Sequence, residues 1–209
     1  MSKLLAAWDM DADALVRAAG NVGHVHKKNP NLRSVRFTLD REGLTILGGD
    51  PYAAATDTAP VEGPTERFAL PVVFELPREG LDVVTSFCRQ HGKENIHLEW
   101  FPGDGLVLTA GASRESVEDG AGLTPAAAWQ ALEGLFERYE DPNSVFLLDM
   151  GLASRFRLVK SDKNERKADW MIRDPEEPIL VKVGPSFRGL MMPLARERHA
   201  EAVGQEGLW

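Results

Sequence analysis

A unit of one amphipathic helix followed by three strand-like segments recurs along this chain of 209 residues. A repeat of that kind dictates helices packed against antiparallel sheets, an α+β architecture. In the first copy an amphipathic stretch over 13–28 precedes strand-like segments at 32–40, 42–48 and 52–58. In the second, the amphipathic stretch runs over 77–91 and is followed by 96–101, 106–109 and a polar continuation. A third copy combines a strand at 145–149, a helical stretch near 151–161, and strands around 170–173, 179–183 and 188–193. Within the third, Phe156 and Leu158 alternate with Arg155 and Arg157, which also fits a strand. Analogy with the other copies favours a helix there.

The helices are two-sided. In the first, Leu15, Ala18, Ala19, Val22 and Val25 share one side, while Arg17, Asn21, His24 and Lys28 form a single polar stripe. Gly20 and Gly23 weaken this helix but permit close approach of a neighbour. In the second, Leu81, Val84, Phe87 and Cys88 oppose Asp82, Ser86, Arg89 and Lys93. Val35, Phe37 and Leu39 alternate with Arg36 and Thr38, as in a half-buried antiparallel strand. The two copies form a first domain over 1–113. A polar, glycine-containing stretch at 112–124 marks the boundary to a shortened second domain over 114–196, and 197–209 form a tail. The second domain opens with a helix over 125–139, capped by Thr124 and apolar at Trp129, Leu132, Leu135 and Phe136. That helix is not basic, and no three strands separate it from residue 145.

Net charge is −8, which argues against a uniformly basic nucleic-acid binder, yet the charges are segregated. Residues 14–39 hold five Lys or Arg and no acid; 154–167 hold six against Asp162 and Glu165. Asp50, Asp57, Glu62 and Glu66 run without a base, and 114–141 hold seven acids against two bases. Basic helices inside an acidic exterior fit a protein that surrounds a polyanion. The single cysteine, Cys88, excludes an internal disulfide and reads as a packed core thiol in a reducing cytoplasm. No apolar run approaches the roughly 18–20 residues of a membrane span, and the acidic start does not develop a signal peptide. His24 and His26, with His91, His97 and His199 elsewhere, lack a ligand partner at metal spacing, so no metal or other cofactor is expected. Asp9, Asp11 and Asp13 read as caps of the first helix rather than as a calcium loop. No nucleotide-binding or nucleophile motif occurs, so an enzyme is not expected.

Residues 33–56, 74–111 and 178–196, the last reading PILVKVGPSFRGLMMPLAR, resemble the DNA polymerase sliding clamps, the ring-shaped processivity factors. The strand closing in Met192-Pro193 is similar to the terminal signature of that family. The resemblance implies a DNA-clamp fold, with helices on one side of antiparallel sheets and lining a channel. It implies a homo-oligomer, two domains per chain favouring a trimer, that encircles double-stranded DNA without reading sequence and tethers a DNA polymerase, with a clamp loader as a further partner. The cations implied to face DNA are Arg17, His24, Lys27, Lys28, Arg89, Lys93, Arg155, Arg157, Lys160 and Lys163. The partner pocket is implied beside Met192, Pro193 and Leu194. The tail ends Gln205-Glu206-Gly207-Leu208-Trp209, which is similar to the short peptides that dock on bacterial clamps, with Gln205, Leu208 and Trp209 as the contacts. Two alternatives stay open: a clamp-fold accessory that forms no ring and binds another clamp through its tail, and an α+β small-ligand module.

Overall fold

The computed structural model describes residues 3–27, 31–50, 53–62, 68–92, 94–137, 150–161, 167–174 and 177–193. Two antiparallel sheets carry the architecture. Strands β1 (Ala6–Asp11), β6 (Asn95–Phe101), β7 (Gly105–Ala110) and β8 (Ser113–Val117) form a four-stranded sheet in the order β1-β6-β7-β8. The remaining strands are β2 (Ser34–Leu39), β3 (Leu44–Gly49), β4 (Ala53–Ala59), β5 (Val72–Pro77), β9 (Asp169–Met171), β10 (Ile179–Val183) and β11 (Phe187–Met191). They form a seven-stranded sheet in the order β5-β2-β3-β4-β11-β10-β9. The helices are α1 (Ala12–Val25), α2 (Arg78–Gln90), α3 (Ala126–Glu137) and α4 (Met150–Ala153), which runs on into a 3-10 helix, Ser154–Leu158.

The first two copies of the repeat fold as their periodicity demands, α1 with β2, β3 and β4, and α2 with β6, β7 and β8. Helix α1 begins where the Asp11 side chain accepts from the Ala14 amide at 2.8 Å, and Asp13 adds a negative charge in the first turn. Asp9 does not cap. It lies on β1, opposite His97 of β6. Strand β1 escapes a sequence reading because AAWDMD is short and acidic on its outer face; its inward residues Ala6, Trp8 and Met10 are buried. Close approach is visible at two glycines. A Cβ on Gly48 of β3 would stand 2.9 Å from Val22 of α1, and one on Gly23 would stand 3.3 Å from Leu81 of α2. Gly20, by contrast, faces open space.

One core lies between the two sheets and the helices α1 and α2. Phe74 joins the sheets: its ring is stacked on Phe37 at 5.1 Å and on Trp100 at 4.5 Å, with Trp8 at 5.9 Å. The seven-stranded sheet has a second apolar face. Ala53, Ala55, Ile179, Val181 and Val183 belong to the main core, whereas the intervening Ala54 and Leu180 pack with Trp129, Leu132 and Phe136 of α3. Helices α1 and α2 therefore share one side of the sheets as expected, while α3 covers the opposite side. Two arginines hold it there. The Arg36 guanidinium stands 4.8 Å from the Trp129 ring centroid and donates to Glu133 at 3.0 Å; Arg188 stands 5.7 Å from the Phe136 ring and donates to its carbonyl at 2.7 Å. The Thr124 hydroxyl, expected to cap α3, accepts instead from the amides of Arg33 and Ser34, at 3.0 Å each.

One expected boundary differs, and one ambiguous segment resolves. Strand β8 crosses the division at 113/114, because its polar residues form an outer strand with one exposed face. The segment 151–161 resolves its ambiguity as a short α-turn and a 3-10 helix, with Phe156 seated against the bare backbone of Gly189. Strand β11 pairs with β4, Met191 opposite Ala53 and Arg188 opposite Thr56, so strands on both sides of the expected boundary share one sheet. The expected strand at 145–149 lies outside the described residues, as does the end of the helix predicted over 125–139.

Candidate nucleic-acid interface

Helix α1 packs between α2 and the 3-10 helix, and this helical side carries the cationic residues. A groove of about 510 Å³ runs along it, lined by Asp13, Arg17, Asn21 and His24 of α1, Arg89 of α2, Leu158 at the end of the 3-10 helix, and Lys160 beyond it. His24 is half-buried, and its pKa is lowered first by burial and then by the positive charges of Lys27 and Arg89. Lys27 and Arg89 thus both lie within electrostatic reach of His24. Lys27, Arg89 and Arg157 are exposed. A line of such groups attracts phosphates by counterion release without reading bases.

Two of the expected DNA contacts are occupied inside the molecule. The Arg17 guanidinium donates to both carboxylate oxygens of Asp57, at 2.8 and 2.9 Å, and Asp57 has 0% side-chain exposure. Arg155 is paired with Asp50, whose side chain is 6% exposed. A buried carboxylate without its cation is strongly disfavoured, so these arginines neutralise the interior rather than stand ready for an outside anion. Asp50 and Asp57 of the acidic run thus meet their bases only in the folded chain. The polar stripe of α1 lines the groove at Arg17, Asn21 and His24, but Arg17 and Asn21 spend their hydrogen bonds on Asp57 of β4 beneath it. Lys28, Lys93 and Lys163 lie outside the described residues.

His26, the C-cap of α1 two residues beyond His24, is fully buried. Its Nδ1 lies 2.9 Å from the Gly49 amide and 2.7 Å from the Gly49 carbonyl, while Nε2 has no hydrogen-bond partner. Burial lowers its pKa from 6.5 to about 4, partly offset by the contact with Gly49. Burial likewise pushes the Cys88 thiol up to about 12. Among the described residues no group of three His, Cys, Asp or Glu side chains is placed to hold a metal ion, and no helix is long and apolar enough to cross a membrane.

On the other side of the molecule, an apolar hollow of about 290 Å³ lies between α3 and the seven-stranded sheet. Ala128, Ala131 and Leu132 of α3 face Ala53, Leu190 and Met192 across it. Met192 and Pro193 are the last described residues, Met192 in the wall of this hollow; Leu194, Gln205, Leu208 and Trp209 lie outside the described residues. A pocket beside Met192 is what the family resemblance implies; the part that α3 plays in its wall was not legible in sequence, because it depends on small residues of α3 and β4 meeting across a sheet face.

No family model and no curated protein sequence matches the chain. Solved structures do. A DNA polymerase III beta subunit from Eubacterium rectale superposes with a TM-score of 0.70 at 9% identity, over 94% of this chain and 67% of that one. The DNA polymerase sliding clamp of Pseudomonas aeruginosa gives 0.66 at 10% identity, over 93% and 67%. The Helicobacter pylori beta clamp, solved with a DNA ligase peptide, gives 0.66 at 12% identity, over 93% and 67%. The chain therefore has the sliding-clamp fold, and it spans about two thirds of the length of the clamps it matches.

Proposed function

We propose that this chain is a non-catalytic clamp that holds duplex DNA along its helical side and tethers a DNA polymerase or another replication factor to it. The observation that carries the reading is the placement of His24, Lys27, Arg89, Arg157 and Lys160 on the helical side of a sliding-clamp fold whose overall charge is negative. Attraction confined to that side steers DNA away from the acidic remainder. Tethering then acts by effective concentration, since a partner held near DNA rebinds before it diffuses away. A homotrimer is the assembly we favour. Charge reversal at Lys27, Arg89, Arg157 and Lys160 together is expected to abolish retention on duplex DNA at low salt, measured by gel shift or fluorescence anisotropy. Unchanged retention rules out this side as the DNA face.

A second reading is favoured by the apolar hollow next to Met192 and by the tail. Here Gln205, Leu208 and Trp209 act as a docking peptide on a clamp, and the chain serves as an accessory without closing a ring. The Helicobacter pylori clamp in complex with a ligase peptide shows that one clamp takes a short peptide. Deleting 205–209 separates the two readings: the accessory loses its affinity for a clamp, whereas the DNA-holding ring retains its affinity for DNA.

A further inference from the structure

Lys160 lines the same groove as Arg89, in a stretch that belongs to neither helix nor strand. No ladder of its own fixes that backbone. A side chain of α1 does. The Asn21 amide donates from Nδ2 to the Lys160 carbonyl at 3.1 Å and accepts at Oδ1 from the Lys160 amide at 3.3 Å. A primary amide that meets both backbone groups of one residue does what a neighbouring strand would do, and leaves neither group unpaired. Nδ2 also donates to Asp57 at 2.7 Å, so Asn21 is itself held in place. Asp57 accepts from Arg17, which in turn donates to the Thr58 carbonyl and the Ser186 hydroxyl, each at 2.9 Å. One connected network thus ties α1, β4 and the β10–β11 turn to the backbone of Lys160. The turn also presses on the next residue: a Cβ on Gly184, at φ +65°, would stand 2.7 Å from the Cβ of Ser161.

We infer that Asn21 is a positioning residue of the DNA-holding groove, acting through Lys160, and that the Arg17–Asp57 pair beneath it is neutral support rather than a phosphate contact. This rests on the DNA-holding reading above. Asn21 is 4% exposed and all three of its hydrogen-bonding contacts point inward, so it does not reach a phosphate itself. Arg17 cannot turn to a phosphate without leaving the carboxylate of Asp57 buried and unpaired, a larger loss than an exposed ion pair returns. The sequence pattern places Arg17 and Asn21 on the same stripe as His24. All three line the groove, and only the buried acid at residue 57, on a strand far along the chain, draws the hydrogen bonds of the first two inward.

The salt dependence of DNA affinity distinguishes contact from support, because each cation on duplex phosphates contributes about 0.9 to the slope of log K against log salt. Lys160→Gln is expected to lower that slope by about 0.9. Asn21→Leu is expected to lower it equally although every cation remains, and to add nothing when combined with Lys160→Gln. The paired change Arg17→Gln with Asp57→Asn keeps hydrogen-bonding groups in place and is expected to leave the slope as it was. A wild-type slope in Asn21→Leu, additive losses in the combination, or a fall of about 0.9 in the paired variant overturns the assignment. Amide hydrogen exchange on the full chain without DNA tests the clip by itself. The Lys160 amide should exchange faster in Asn21→Leu while the amides of α1 keep their protection. Equal exchange at Lys160 removes the clip. A wild-type chain that does not bind duplex DNA at low salt removes the DNA reading and this role with it, and the exchange result then still decides whether Asn21 holds Lys160.

Discussion

Arg17 and Asp57 lie 40 positions apart in sequence, and Arg155 and Asp50 lie 105 apart, yet each pair meets in the fold. Residue types and helical spacing show which groups are charged; they do not show which charges cancel. That limits how much of the candidate site is legible in the sequence: the polar stripe of α1 is, the pairing of Arg17 and Asn21 with a buried carboxylate is not. The burial has a measurable consequence. Arg17→Ala leaves Asp57 without its cation and is expected to cost about 3 kcal/mol, seen as a lowered urea midpoint with unchanged slope. His26 predicts a pH effect of defined sign. Its pKa is about 4 in the folded chain against 6.5 for an ordinary histidine, so the unfolded chain binds the extra proton. The stabilisation is complete above pH 6.5, declines as pH falls toward 4, and amounts to about 3 kcal/mol between those limits. His26→Gln should flatten that part of the stability profile; a profile as steep as the wild type's would assign the proton uptake elsewhere.

Among the elements, those with strict alternation or a clean apolar stripe are the ones a sequence reading finds. Val35, Phe37 and Leu39 mark β2 unmistakably, as Ile96, Leu98 and Trp100 mark β6, because each is buried on one face only. Strand β8 fails that test. SRESV has a single buried residue, Val117, and it pairs only because β7 offers an open side. Helix α3 shows a different limit. Its apolar face is evident, but the side of the sheet it covers is set by Arg36 and Arg188, two strand residues whose rings of contact lie on α3 itself. Trp129 is 0% exposed and its indole nitrogen has no hydrogen-bond partner. Trp129→Ala is therefore expected to cost about 3–5 kcal/mol. Trp129→Phe, which removes the unpaired nitrogen and keeps a ring under Arg36, should cost well below that. Equal losses in the two variants, measured by chemical denaturation, would mean that the ring contributes little to holding α3.

At the scale of the whole molecule, the seam between β4 and β11 makes the sheet continuous across the expected domain boundary, and leaves other strands without a second neighbour. Among the described residues β8 pairs with β7 alone, and β9 with β10 alone. The two remaining outer strands are partly covered, β1 by the bridge from Asp9 to Glu62 and β5 by the Gly120 amide donating to the Glu75 carbonyl at 2.8 Å. Open strand sides invite pairing between copies. A two-fold pairing of β8 with itself, centred on its middle residue, places Glu115 opposite Glu115, and like charges directly opposed destabilise a sheet. The contact that avoids this is head-to-tail, β8 of one copy against a different strand of the next. Such heterologous contacts close into rings or grow into filaments. The homotrimer proposed above belongs to that class. Light scattering on the purified chain should therefore give the mass of three chains, with Glu115→Lys disturbing assembly while leaving the fold of each chain intact by circular dichroism. A mass of one chain at every concentration, with and without duplex DNA, excludes the ring and leaves the accessory role carried by Gln205, Leu208 and Trp209.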